Sequence, residues 1–152
     1  MSALPSHRYT GSYRTPTLEH ATVADVMHPG VITCSPGSTV TELARMMVTH
    51  HIHCIAVMGV TPAEDGEHLV WSIVSDVDLL QIADSEGLGQ TAESVARRPI
   101  ISVEPAMSLR DARKLMLANG ASHVLVIEPR QQHPVGVLST LDIIGVMAWG
   151  EG

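Results

Sequence analysis

The chain has 152 residues, 45% of them hydrophobic, with a formal charge of −7 from nine Lys+Arg and sixteen Asp+Glu. That apolar content excludes a wholly disordered chain, and the acidic balance argues against nucleic acid or an anionic membrane surface as a partner. Aromatics are only 3% and Phe is absent, so the core must be aliphatic and Met-filled, without the platforms on which single-stranded nucleic acid stacks. No apolar run approaches the roughly 20 residues that span a bilayer. Residues 1–20 lack the apolar centre of a secretory signal. Cys34 and Cys54 stand in no paired spacing, which leaves a zinc or disulfide motif unsupported and makes the cytoplasm the expected compartment.

Residues 1–20 are polar and broken by Pro5, Gly11 and Pro16. They read as a flexible arm that Tyr9 and Tyr13 could dock. From Thr22 the chain repeats itself. At a shift of 69 residues (105 − 36), Thr22–Met58 lies on Thr91–Ile127 without a gap. Thr22 meets Thr91, Val26 meets Val95, Met47 meets Met116 and Val57 meets Val126. Such an internal repeat sets the fold. The expected division is 1–20 arm, 21–84 first repeat, 85–90 linker and 91–149 second repeat.

Within each repeat the parts recur. Thr22–Met27 and Thr91–Ala96 predict short helical lead-ins. Val31–Cys34 and Ile100–Val103 predict strands stopped by Pro36 and Pro105. Thr39-x-x-Glu42 and Ser108-x-x-Asp111 are helix-capping patterns. Val40, Leu43, Ala44 and Met47 then form one apolar face, repeated by Leu109, Ala112 and Met116 with Leu115 at its edge. Asn119-Gly120 marks the second helix's end. Cys54–Met58 and Val124–Ile127 are continuous apolar runs that suit strands covered on both faces. A turn follows each. It is longer in the first repeat, where Pro62 and Gly66 lie between Met58 and His68. Leu69–Val74 and Val135–Leu138 return as third strands. The fold class is therefore α/β (α+β): two pseudo-symmetric β-α-β-β-α repeats, packed through their sheets. In each, a helical crossover makes the first two strands parallel and a tight return makes the last two antiparallel. The linker Asp84–Gln90 joins the halves.

At the end of each third strand stands Ser-x-x-Asp: Ser75/Asp78 and, at a shift of 64 (142 − 78), Ser139/Asp142. The second opens a helix carrying Leu141, Ile144 and Met147. A carboxylate accepts two hydroxyl hydrogen bonds well. A helix start offers free N–H groups to a phosphate. Gly136 would let backbone approach a ligand, where the first repeat has Ser72. Asp76 adds a negative charge where the second repeat has Thr140, so the Asp142 site reads as the better phosphate site. The same Ser-x-x-Asp pattern is also a plain capping box, worth about 1 kcal/mol with no ligand at all.

The pattern resembles a tandem pair of CBS domains, the regulatory module named after cystathionine β-synthase. Gly136-Val-Leu-Ser139-Thr-Leu-Asp142 fits that family's G-h-h-S/T-x-x-D fully, and Ser72-Ile-Val-Ser75-Asp-Val-Asp78 departs at its first position. Thr33-Cys-Ser-Pro36 and Ser102-Val-Glu-Pro105 match its first-strand pattern. Ile52–Val57 and Ala121–Val126 match its middle strand, with Ala56 and Leu125 at the usual proline. The resemblance implies a stand-alone, non-enzymatic sensor that binds an adenine nucleotide, AMP or ATP, in clefts between the halves and signals by changing their angle. Asp78 and Asp142 would hold ribose, and Ser75 and Ser139 phosphate. Thr33 and Ser102, with Ile55/Ala56 and Val124/Leu125, would line the base. It further implies a homodimer and an unidentified regulated protein. The alternative is a structural interaction module with degenerate, empty sites.

Other features read plainly. His50-His51-Ile52-His53 invites a metal, with His51 and His53 on one strand face, but offers no third ligand. A helix-end histidine favoured by the dipole is the simpler reading. Cys34 and Cys54 read as small core residues, Met46-Met47 as packing, Arg97-Arg98 as solvated or a phosphate contact, and Trp149 as a cover or dimer contact. No clustered nucleophile and base points to an enzyme.

Overall fold

The computed structural model describes residues 16–63, 66–84, 86–96, 101–131 and 133–150. Tyr9, Tyr13 and the arm up to residue 15, Arg97-Arg98, and Ile100 lie outside these described residues. The chain forms two compact units, Val31–Ile101 and a second made of residues 1–30 with Ser102–Gly152.

The first unit holds β2 (Thr33–Cys34), α2 (Val40–His50), β3 (Cys54–Ala63), β4 (Gly66–Ser75), α3 (Asp76–Gln81) and α4 (Ala92–Val95). Its sheet runs β2-β3-β4, with β2 parallel and β4 antiparallel to β3, the expected arrangement. Thr39 caps α2 by accepting from the Glu42 N–H at 3.2 Å. Val40, Leu43 and Met47 face inward and pack with Ile55, Val57, Val74, Leu79 and Ala92. The apolar face read from the sequence is therefore the buried one. The turn expected across Met58–His68 is instead mostly strand, since β3 and β4 stay paired out to Ala63 and Gly66. Pro62 is tolerated there because β2 pairs only as far as Val57, so β3 has one open edge.

The second unit holds α1 (Val23–Val26), β1 (His28–Pro29), β5 (Ser102–Val103), α5 (Leu109–Asn119), β6 (His123–Ile127), β7 (Pro134–Ser139) and α6 (Thr140–Trp149). Its sheet runs β1-β7-β6-β5, again with a parallel first pair and an antiparallel hairpin. Leu109, Ala112 and Met116 bury the predicted face of α5. On α6 the buried residues are Asp142, Ile143 and Val146, while Leu141, Ile144 and Met147 are exposed. The α6 sequence is apolar on both sides, so its period could not choose a face. The cap chose it by turning Asp142 inward. The same choice recurs on α3, where Asp78 and Leu79 are buried and Val77 and Leu80 exposed.

Each lead-in helix serves the other repeat. The N–H groups of Val23 and Ala24 donate to the carbonyls of Met107 and Pro105, and the Leu109 N–H donates to Ala21, all at 2.9 Å. At the equivalent positions, Ala92 and Glu93 donate to Ser38 and Pro36, and Val40 donates to Gln90, at 2.7–3.0 Å. The bridges Thr22–Ser108 and Thr39–Thr91 complete the match. The linker is a built turn rather than a loose tether. Its Gly87 N–H donates to Asp84 Oδ1 at 2.7 Å, and Leu88 accepts from Thr41 Oγ1.

The helix ends of the two repeats differ in one respect. α5 closes on Gly120 at φ 60, and α2 closes on His51 at φ 53. Left-handed backbone costs an L-residue roughly 1–2 kcal/mol that glycine avoids. His51→Gly is therefore expected to raise the urea midpoint, by about 1 kcal/mol of stability; an unchanged or lower midpoint would contradict this.

Candidate functional site

Two helix starts carry the chemistry. At α6 the Ser139 N–H donates to Asp142 Oδ2 at 2.8 Å, and the Asp142 N–H donates back to Ser139 Oγ at 3.2 Å. At α3 the Ser75 N–H donates to Asp78 Oδ2 at 2.8 Å, and the Asp78 N–H donates to Ser75 Oγ at 3.3 Å. These reciprocal caps satisfy two otherwise orphaned N–H groups each. They also hold both carboxylates inside, with Asp78 8% and Asp142 2% exposed.

The strand residues predicted to line a base fall beside these starts. Thr33 pairs with Ala56, and Ala56 lies two residues along β3 from Cys54, which pairs with Ser75. In the other unit Ser102 pairs with Leu125, two residues along β6 from His123, which pairs with Ser139. Thr33 and Ser102 are exposed, whereas Ile55, Ala56, Val124 and Leu125 are almost fully buried. The side chains of those four are closed off from solvent, and the Ala56 N–H is already given to Ile32 at 3.0 Å. Thus Thr33, Ile55, Ala56, Ser75 and Asp78 share one unit, and Ser102, Val124, Leu125, Gly136, Ser139 and Asp142 share the other.

Gly136 has a structural cause. A Cβ there would lie 2.5 Å from the His28 carbonyl and 3.0 Å from Met27 Sδ, because β1 pairs across it. The close approach at Gly136 is the chain's own.

Two histidine–aspartate pairs were not legible in the residues' order. His28 Nδ1 lies 2.8 Å from Asp142 Oδ1, with the aspartate side chain 1% exposed and the histidine half-exposed. His53 Nδ1 lies 2.9 Å from Asp76 Oδ2, on the surface. Neither pair follows a spacing rule, since each joins residues brought together by strand pairing. His51 ends α2 in left-handed backbone and β3 begins only at Cys54. His51 and His53 therefore share no strand face. Among the described residues no group of three or more His, Cys, Asp or Glu could hold a metal ion. Burial, with the nearby charge of Asp76 adding to it, pushes the Cys54 thiol up to about 12. Burial likewise raises Cys34, so neither is a ready nucleophile at neutral pH.

Comparison with known proteins bears on this arrangement. The CBS-domain family model matches residues 23–85 and again 92–148. The chain is 30% identical over 125 residues to the CBS domain-containing protein YhcV of Bacillus subtilis, covering 81% of this chain and 83% of that one. It is 26% identical over 132 residues to the uncharacterized protein MK0525 of Methanopyrus kandleri, covering 85% of this chain but 64% of that protein's length. Among solved structures, the CBS domain pair of protein MJ0100, in complex with 5′-methylthioadenosine and S-adenosylmethionine, superposes with a TM-score of 0.70 at 20% identity. That match covers 84% of this chain and 96% of the other and establishes likeness of fold.

Both serines act as caps whether or not a ligand binds. Ser139→Ala and Ser75→Ala should each lower stability by about 1 kcal/mol in urea denaturation without ligand. A loss at neither position would mean that the caps do not hold these helix starts.

Proposed function

The chain belongs to the CBS-domain family, and from that premise we propose that it is a regulatory sensor of adenosine-bearing ligands, of the AMP, ADP or ATP class, rather than an enzyme. The observation that carries this reading is the recurrence of one arrangement. In each unit a buried carboxylate stands at a capped helix start at the end of one strand of a sheet whose parallel first strand carries an exposed Thr33 or Ser102. Such a carboxylate suits a ribose diol, and the helix start suits phosphate. Likeness to the MJ0100 pair, bound to two adenosine compounds, supports the ligand class. Ser75 and Ser139 would meet phosphate, and Asp78 and Asp142 ribose. The Asp142 site is the stronger candidate: α6 has ten residues against six for α3, and Asp76 adds charge only at the α3 start. A signal requires different ligand affinity in two states.

A second reading rests on a specific observation. Asp142 Oδ2 is taken by Ser139 and Oδ1 by His28, which is the pattern of a structural cap in an interaction module with empty sites. Thermal shift with AMP, ADP, ATP, NAD and S-adenosylmethionine separates the two. The sensor reading expects a rise of a few degrees with at least one compound at saturating concentration. It expects Asp142→Asn to reduce that rise more than Asp78→Asn. No rise with any of them leaves the interaction module.

We further propose that the chain is a homodimer in the cytoplasm. Leu141, Ile144, Met147 and Trp149 are 52–66% exposed along α6, an apolar stripe that water disfavours and a two-fold contact would cover. No helix among the described residues is long and apolar enough to cross a membrane. Both cysteines are free, as suits a reducing compartment. Ile144→Glu should convert a dimer to a monomer in analytical ultracentrifugation with little loss of monomer stability; a wild-type monomer would refute the assembly.

A further inference from the structure

We propose that Asp76 is the specificity-determining residue of the first-repeat site: its carboxylate fills, from within the chain, the anion position at the start of α3, so that this site takes adenosine compounds with no 5′ phosphate. The inference rests on the adenosine reading above and narrows it, giving phosphate to the Ser139 start and none to the Ser75 start. A helix leaves its first N–H groups without intrahelical partners, and a phosphate held at a helix start uses them. At α3 the first three are already taken. The Asp76 N–H donates to the His53 carbonyl at 2.8 Å. The Val77 N–H donates to Asp76 Oδ1 at 2.8 Å. The Asp78 N–H donates to Ser75 Oγ at 3.3 Å.

The carboxylate is held where it stands. Asp76 Oδ2 lies 2.9 Å from His53 Nδ1, and because a carboxylate only accepts, that nitrogen carries the proton. The two residues meet because Cys54 pairs with Ser75, which sets His53 and Asp76 opposite each other one position beyond the ladder. The helix dipole also favours an anion in the first turn. Both residues make further contacts, which hold the pair in place.

The second repeat has neutral residues in these places. Its equivalents of His53 and Asp76 are Ser122 and Thr140, and the Thr140 N–H donates to the Ser122 carbonyl at 3.0 Å. Thr140 brings no carboxylate to the Leu141 N–H. Asp142 is the one acidic residue in the first turn of α6, whereas α3 has Asp76 and Asp78. A phosphate at the α3 start would therefore meet a carboxylate already seated on the Val77 N–H, and at the α6 start a hydroxyl. The Asp76 side chain is 43% exposed, so solvent screens part of the repulsion. Solvent does not return the Val77 N–H, which Asp76 holds. A thioether or a plain hydroxyl at the 5′ position carries no charge and asks for no such N–H, so the α3 start accepts it.

The test is isothermal titration of the full chain with AMP and with neutral 5′-methylthioadenosine. Wild type should take about one AMP and about two methylthioadenosines per chain. Asp76→Thr, which copies the second repeat, should raise AMP to about two per chain, the added site binding about tenfold more tightly than in wild type. Thr140→Asp, which copies the first repeat, should weaken AMP about tenfold and leave methylthioadenosine within about twofold. Two AMP per wild-type chain at similar affinity, or AMP binding unchanged in both variants, would overturn the role of Asp76 and leave the adenosine reading standing. So would an equal loss of both compounds in Thr140→Asp, or a single methylthioadenosine per wild-type chain. No binding of either compound by wild type or either variant would overturn both.

Discussion

The reciprocal stitching of the lead-in segments is the constraint on which the structure depends. Each repeat opens with a four-residue helix too short to hold itself. It is held because its first N–H groups donate to the Pro-containing loop of the other repeat, and because that repeat's main helix donates back. Val23, Val26 and Ala92 are then buried in units that are not those of their own repeats. Neither unit is complete without a piece of the other repeat. A repeat of about 60 residues has a marginal core, and the exchange adds to it.

The exchange also determines which residues meet at the candidate site. Because the chain returns to its own unit only after Gly30, β1 lies along β7 and places His28 over Asp142. Gly136 is small because this approach is close. The site at α6 is thus assembled from both repeats: the capped carboxylate from the second, the histidine from the first. The helix start would be complete as a cap without His28; the histidine meets the second carboxylate oxygen.

The caps use the atoms that the proposed ligand would need. A Ser-x-x-Asp cap needs one carboxylate oxygen, and at Asp142 the other meets His28. The same cap decides which face of α6 and α3 goes inward. It leaves Leu141, Ile144, Val77 and Leu80 exposed at matching positions. The buried carboxylate and the apolar outer face therefore have one local cause, an inward aspartate three residues after the serine.

From its residues alone the chain declared the duplication, the strand and helix order, the parallel and antiparallel pairings, and the inward faces of α2 and α5. Those follow from local periodicity and from caps whose partners lie three residues away. It also declared the caps Ser75/Asp78 and Ser139/Asp142, because a cap is a short-range pattern. Only the tertiary structure decided that the lead-in helices are exchanged, that Met58–His68 is mostly hairpin rather than turn, which face α6 buries, and that His28 lies on Asp142. Exchange depends on bonds between residues 50 to 88 positions apart, the hairpin on pairing that overrides Pro62, and the α6 face on a cap acting within a sequence apolar all round. The histidine pair depends on a two-residue strand too short to leave any period in the sequence.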